Sequence, residues 1–250
     1  MLGPVPRGIG PEHPAVEKDM QIEIWSDVKC PWCFVGKRRF EKALADFPHR
    51  DGVEVTWKSY QLDPSLPDHY EGTEQQYLAE RKGIDPDQVR QMWQHLAEQA
   101  SGEGLDFDFD RIVVGNSFTA HRFLHLAKSH GLGDAAKEAI MSAHFEQGLD
   151  TSDIDTLVSL GTGIGLREDE IRETVTGDRF ADDVRRDIEE AQTLGVQGVP
   201  FFVIDRKYGI SGAQPAELFR QALDQAWQEA HPLVSLTQSA DGPACGPDGC

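Results

Sequence analysis

A chain of 250 residues with 39% apolar side chains can bury a full core without disulfide staples, and no stretch reaches the roughly 20 apolar residues of a membrane-spanning helix. A formal charge of −19 argues against nucleic acid and anionic membrane surfaces as partners, because both repel an acidic protein. Only four cysteines occur, in two close pairs, too sparse for a secreted disulfide scaffold and suited to local redox or metal chemistry.

Residues 1–19 are rich in Pro and Gly and carry no apolar stretch of the kind a secretory signal has. They are expected to form a disordered extension, and cytoplasmic residence is the expectation for the protein. The first strand is predicted over residues 22–25, and the apolar spacing of residues 34–47 predicts a helix. Between them stands Cys30-Pro31-Trp32-Cys33. Residues 53–60 place Val53, Val55 and Trp57 on one face of a second strand, which completes a β-α-β opening.

From Gln61 onward the pattern turns helical. Thr73 with Gln76, and Asp85 with Gln88 and Pro86, each read as a capping box, with Gly83 and Gly102 as the helix ends. Further helices are predicted over 117–130, 134–147, 152–160, 168–175 and 179–194, the last placing Phe180, Val184, Ile188 and Ala191 on one face. A short apolar run over 200–204, a turn at Asp205-Arg206-Lys207, a strand over 208–211 and a helix from Pro215 to near Ala230 follow. This β-β-α half and the β-α-β half make an α/β chain of thioredoxin architecture. The expected organisation is a thioredoxin-fold domain over 20–62 and 192–231, an all-helical insertion over 63–191, and a flexible tail over 232–250.

Cys30 is expected to cap the first helix, with Pro31 at the first helical position, where its missing N–H costs nothing. Unpaired N–H groups, the helix dipole and Lys29 would then favour a thiolate on Cys30, whose sulfur would accept a hydrogen bond from the Cys33 N–H. Cys33, one turn on, is placed to resolve a mixed disulfide, and Trp32 to cover the pair. The competing reading is a four-cysteine zinc site with Cys245 and Cys250. Pro31 weighs against it by removing a backbone N–H that would bond a ligating sulfur, so no metal is expected. Pro200 opens the third strand; in a thioredoxin fold this proline is cis and faces the dithiol, so that Val199 can pair with an extended peptide.

Three ordered stretches carry a resemblance across most of the chain: Ile24 to Asp27 leading into Cys30 to Gly36, then Asn116 to Arg122, and Gly195 to Phe202. In these the chain resembles the DsbA-like thioredoxin family, specifically its FrnE-type subgroup, related to 2-hydroxychromene-2-carboxylate isomerases and kappa-class glutathione transferases. The resemblance implies a helical domain inserted in a thioredoxin fold, and thiol-disulfide oxidoreductase or isomerase activity on protein thiols and disulfides. Cys30 and Cys33 would react, supported by Pro31, Trp32, Val199 and Pro200. No metal or bound organic cofactor is required. Glutathione or a thioredoxin-type reductant would be the electron partner.

The isomerase and transferase relatives carry serine where this chain has Cys30 and use glutathione as cofactor. Both cysteines here favour dithiol cycling, with a glutathione-dependent isomerase or transferase of small aromatic substrates as the alternative. His121 reads as a packed helix residue rather than a catalytic one. Gly161 to Gly165 lacks the spacing of a nucleotide loop and reads as a helix connection. Cys245-Gly246-Pro247-Asp248-Gly249-Cys250 contains a turn sequence that can bring its sulfurs together, a second redox pair able to relay electrons on its tether. If it does, replacing Cys245 and Cys250 by serine slows turnover with a protein disulfide substrate; unchanged steady-state rates would dismiss the relay.

Overall fold

The computed structural model describes residues 19–232, so Cys245 and Cys250 and nearly all of both terminal segments lie outside the described residues. Four strands form one sheet in the order β2-β1-β3-β4: β1 (Met20–Ser26), β2 (Val53–Ser59), β3 (Phe201–Ile204) and β4 (Tyr208–Ser211). β1 runs parallel to β2, with Ile24 beside Trp57, and antiparallel to β3, with Ile24 beside Phe202. A parallel pair needs a crossover connection, and α1 (Pro31–Ala45) supplies it. The β3-β4 hairpin turns through Asp205 and Arg206 at φ 49° and 55°. These non-glycine residues are held there because Asp205 exchanges hydrogen bonds with Gln21 and Arg206 pairs with Glu23 and Glu190.

One sheet face packs α1 and α9 (Ala216–Ala230) around Phe40, Phe47, Phe202, Phe219 and Leu223. The helices α2 (Glu74–Lys82), α3 (Pro86–Gly102), α4 (Phe118–Ser129), α5 (Gly133–Phe145), α6 (Ile154–Gly163), α7 (Glu168–Thr176) and α8 (Ala181–Thr193) fall between β2 and β3, as a helical insertion in a thioredoxin fold requires. Their own core gathers Phe123, Leu126, Ile140, Leu157 and Ile171. Buried Lys37 of α1 ties the two parts through Glu138 of α5 at 3.0 Å and its neighbour Glu41.

Several local expectations are corrected. The Thr73–Gln76 capping box forms, but Asp85 accepts from the Asp87 N–H at 2.8 Å instead of pairing reciprocally with Gln88. α3 ends at Gly102 as expected, and the left-handed turn after it falls on Gly104 at φ 78°. α6 continues to Gly163, past the predicted end. Gly161 serves there by size, since a Cβ would stand 2.7 Å from Phe123 and 2.5 Å from Ile171.

The inward residue of α8 is Asp187 in addition to Val184 and Ala191. Its carboxylate accepts the Ser59 N–H at 2.9 Å and lies 3.0 Å from His125 Nε2 and 3.2 Å from Lys58, while its carbonyl accepts from the Trp25 indole at 2.8 Å. The sheet edge, α4 and α8 thus meet at one side chain. Burial opposes its charge, but His125, the Ser59 amide, Lys128 and Lys58 outweigh that and hold the carboxyl down at about 2. A folded pKa below the unfolded one contributes stability that is complete above about pH 4 and is lost as pH falls toward 2. Asp187→Asn should therefore cost about 2 kcal/mol in urea unfolding near neutrality. The two proteins should converge in stability at the acid end.

Candidate active site

The turn between β1 and α1 is fixed by backbone chemistry. Asp27 closes it: its carbonyl accepts the Cys30 N–H at 3.2 Å, and its carboxylate accepts the N–H groups of Lys29 at 3.2 Å and Leu62 at 2.8 Å. Cys30 is the N-cap of α1 in extended conformation, Pro31 holds the first helical position, and Cys33 follows one turn on. Both cysteines are free thiols. Cys30 retains 5% of its surface and Cys33 none, so Cys30 is the sulfur a partner reaches first.

Val199 and Pro200 arrive from the other half of the sheet. Their peptide bond is cis, and the Cys30 thiol lies 3.5 Å from the Val199 carbonyl. Gly36 permits this approach, since a Cβ there would come within 2.9 Å of the Pro200 ring. Trp32 is half-buried, its ring 6.1 Å from that of His95. The structure therefore brings Cys30, Cys33, Pro31, Trp32, Val199 and Pro200 together.

The electrostatics differ from the sequence expectation. Cys30 makes no side-chain capping bond, and the Cys33 N–H donates to the Cys30 carbonyl at 3.0 Å. The two thiols titrate as a unit that cannot lose both protons easily. Cys30 is pushed well above the usual thiol range, first by its hydrogen bond to Cys33, then by burial and the charges of Cys33 and Asp27, with the Cys33 N–H acting the other way. Burial also opposes ionisation of Cys33. The Cys30 thiol, the Lys137 ammonium, the Ser26 hydroxyl and the Asp27 backbone reverse that and lower it. The first ionisation of the pair is thus favoured from inside, where Lys137 and Ser26 act on Cys33.

Sequence reasoning missed these supporting groups. Lys137, from α5, is 1% exposed, and burial pushes it down to about 8 against the pull of Cys33 and Asp27. His121, read as a packing residue, is buried with Nε2 3.5 Å from Asp27 Oδ1, and neither ring nitrogen has a hydrogen bond. Burial lowers its pKa against the pull of Asp27. Lys137 and His121 line a cavity of about 440 Å³ between β2 and helices α1, α4 and α5, which Trp57, His125 and Lys128 also border. A second cavity, of about 340 Å³, opens in front, between Cys30, Trp32 and helices α2 and α3. Among the described residues no cluster of His, Cys, Asp and Glu could hold a metal ion, and no helix is long and apolar enough to cross a membrane.

Two cysteines on the first helical turn of a thioredoxin fold, facing a proline that precedes the neighbouring strand, place the chain in the class of thioredoxin-like proteins. Within it, the chain belongs to the DsbA-like thioredoxin domain family, whose model matches residues 21–224. It is similar to the crystal structure of a probable DsbA oxidoreductase from Streptomyces coelicolor, at 46% identity and TM-score 0.81, covering 92% of this chain and 98% of that one. An uncharacterized protein of Bacillus subtilis, YwbO, is 27% identical over 208 residues, 82% of this chain and 96% of the relative. The cytosolic disulfide reductase DsbM from Pseudomonas aeruginosa shares the fold at 19% identity and TM-score 0.58, over 84% and 99% of the two chains.

Because Lys137 helps hold the dithiol's first thiolate, Lys137→Met should move its formation to higher pH. The pH dependence of alkylation by iodoacetamide reads this; an unmoved profile would remove Lys137 from the dithiol's electrostatics.

Proposed function

We propose that this protein is a thiol-disulfide oxidoreductase acting on protein disulfides through the Cys30–Cys33 pair. The observation that carries the reading is the unequal placement of two adjacent thiols. Cys30 is at the surface edge of the site, 3.5 Å from the Val199 carbonyl, and Cys33 is fully buried beside Lys137. The first suits exchange with a partner, the second intramolecular resolution.

In the reducing direction the thiolate formed in the pair is presented at Cys30 by proton transfer between the two sulfurs. It attacks one sulfur of a substrate disulfide, forming a Cys30–substrate bond and expelling the other substrate sulfur as thiolate. Cys33 gives up its proton in turn and attacks Cys30, closing the Cys30–Cys33 disulfide and releasing the second substrate thiol. Two electrons pass from the protein dithiol to the substrate, and the reverse sequence oxidises a substrate dithiol. A bound metal or organic cofactor is not needed, because the dithiol carries both electrons. An extended substrate segment would lie along Val199 and Pro200, pairing with the backbone beside the sulfur.

A reducing role in the cytoplasm, with glutathione or a thioredoxin-type protein returning the electrons, agrees with the sparse cysteines and with the cytosolic reductase that shares the fold. Cys33→Ser should accumulate a Cys30-linked mixed disulfide with a model protein substrate, visible on a non-reducing gel and released by dithiothreitol. Cys30→Ser should form none and lose insulin reduction. Full activity of Cys30→Ser would overturn the assignment.

A further inference from the structure

The front cavity is built differently from the rest of the site. Cys30 and Trp32 belong to its wall, but Val199 and Pro200 do not. The Cys30 sulfur therefore faces two environments: the strand edge, where a peptide can pair, and a chamber bounded by the helical insertion. Leu62, Leu66, Leu78, Leu96, Ile112 and Val114 make that chamber apolar. An extended peptide inside it would strand its backbone N–H and C=O groups, whereas a small apolar molecule would not. At about 340 Å³ the cavity lies at the small end of the range for ligand pockets.

Its polar groups are few and mostly engaged. Asp27 accepts from two amides, Asp63 from Ser65 and Tyr77, and Lys29 donates to Thr151 at 2.9 Å. Two groups are not satisfied. Glu74, on the first turn of α2, has a buried Oε2 without a hydrogen-bond partner, and His144, 2% exposed, has a buried Nδ1 without one. Burial raises Glu74 to about 7 against the pull of Lys29, and burial keeps His144 neutral. Both unmet atoms can accept a hydrogen bond, and a buried acceptor left unpaired is costly. Lys29 and Lys82 also border the chamber, but Lys29 donates to Thr151 and Lys82 pairs with Asp63, and neither ammonium makes a hydrogen bond to Glu74 Oε2 or His144 Nδ1.

We propose that this cavity binds low-molecular-weight disulfides and thiols that have an apolar, ring-sized body and an amino head, with Glu74 reading the amine while the sulfur meets Cys30. The inference rests on the dithiol exchange proposed above and gives it a second substrate class. A carboxylate head has no hydrogen to give Glu74 Oε2 and would leave that atom unpaired, whereas an amine satisfies it. The exchange balances as for a protein disulfide. Cys30 takes one RS group from R–S–S–R and releases RS⁻, and Cys33 then displaces the second RS⁻ as the internal disulfide forms. Dithiothreitol in the assay returns the two electrons.

The test uses the full chain with para-aminophenyl disulfide and para-carboxyphenyl disulfide, molecules of one shape and opposite head group. Each kcat/KM is divided by the rate of that disulfide with free dithiothreitol, which removes intrinsic reactivity. A preference of about tenfold for the amine is expected, the size of one hydrogen bond to a charged group. Glu74→Gln should bring the ratio close to one, and Glu74→Asp should lower it partway if the glutamine variant fails to fold. Val114→Trp, which fills the chamber, should slow both small disulfides. A ratio near one in the unaltered protein, or an undiminished ratio in Glu74→Gln, would overturn the inference. Insulin reduction is measured in parallel: its loss together with all small-disulfide activity would instead overturn the exchange reading on which this one rests.

Discussion

Asp27 is the constraint on which the rest of the site depends. Its carbonyl and carboxylate close the turn before the dithiol, reach the chain where it leaves the sheet at Leu62, and stand 3.5 Å from His121 of the insertion. A buried carboxylate loses most of its hydration, so it is stable only while these partners remain in place. The turn, the exit from β2 and the docking of α4 are consequently coupled through one side chain. Burial alone would raise its pKa. His121 and the Leu62 and Lys29 amides keep it lowered and ionised.

The same logic recurs at the far edge of the sheet. Asp187 joins β2, α4 and α8, while Trp25 of β1 donates to its carbonyl. Lys37 supplies a third tie, from α1 to α5. These junctions are polar, but each closes over an apolar layer, and apolar burial provides the bulk of the driving force. What the polar contacts add is register. They fix the insertion over the sheet at a spacing that leaves one cavity against β2 and one beside Cys30.

The chemistry follows from that spacing. A dithiol at the rim of a sheet alone would be governed by its helix dipole and by water. Here the insertion removes the water and brings Lys137 toward the buried sulfur, so charge is weighed in a low-dielectric setting where one ammonium matters. The protein's net charge of −19 has no comparable influence on the pair, since most of the acidic side chains are solvated and screened.

Much of this molecule is local and was therefore legible in the chain. The β-α-β and β-β-α halves, the helical block between them, the Thr73 cap and the Cys30-Pro31-Trp32-Cys33 turn all follow from periodicity, capping and proline geometry over a few residues. Pro200 could be matched to the dithiol because a known architecture relates them. Gly161 misled the helix boundary, because its role is a close approach to Phe123 and Ile171, invisible along one helix. The sequence by itself determined the fold and which sulfurs stand at its first helical turn. Only the tertiary structure decided which sulfur is buried, that Lys137 acts on it and His121 meets Asp27, and that Glu74 borders a chamber beside Cys30. Those residues lie on separate elements, and their meeting depends on how the insertion docks, a property of packed surfaces rather than of any local run of side chains.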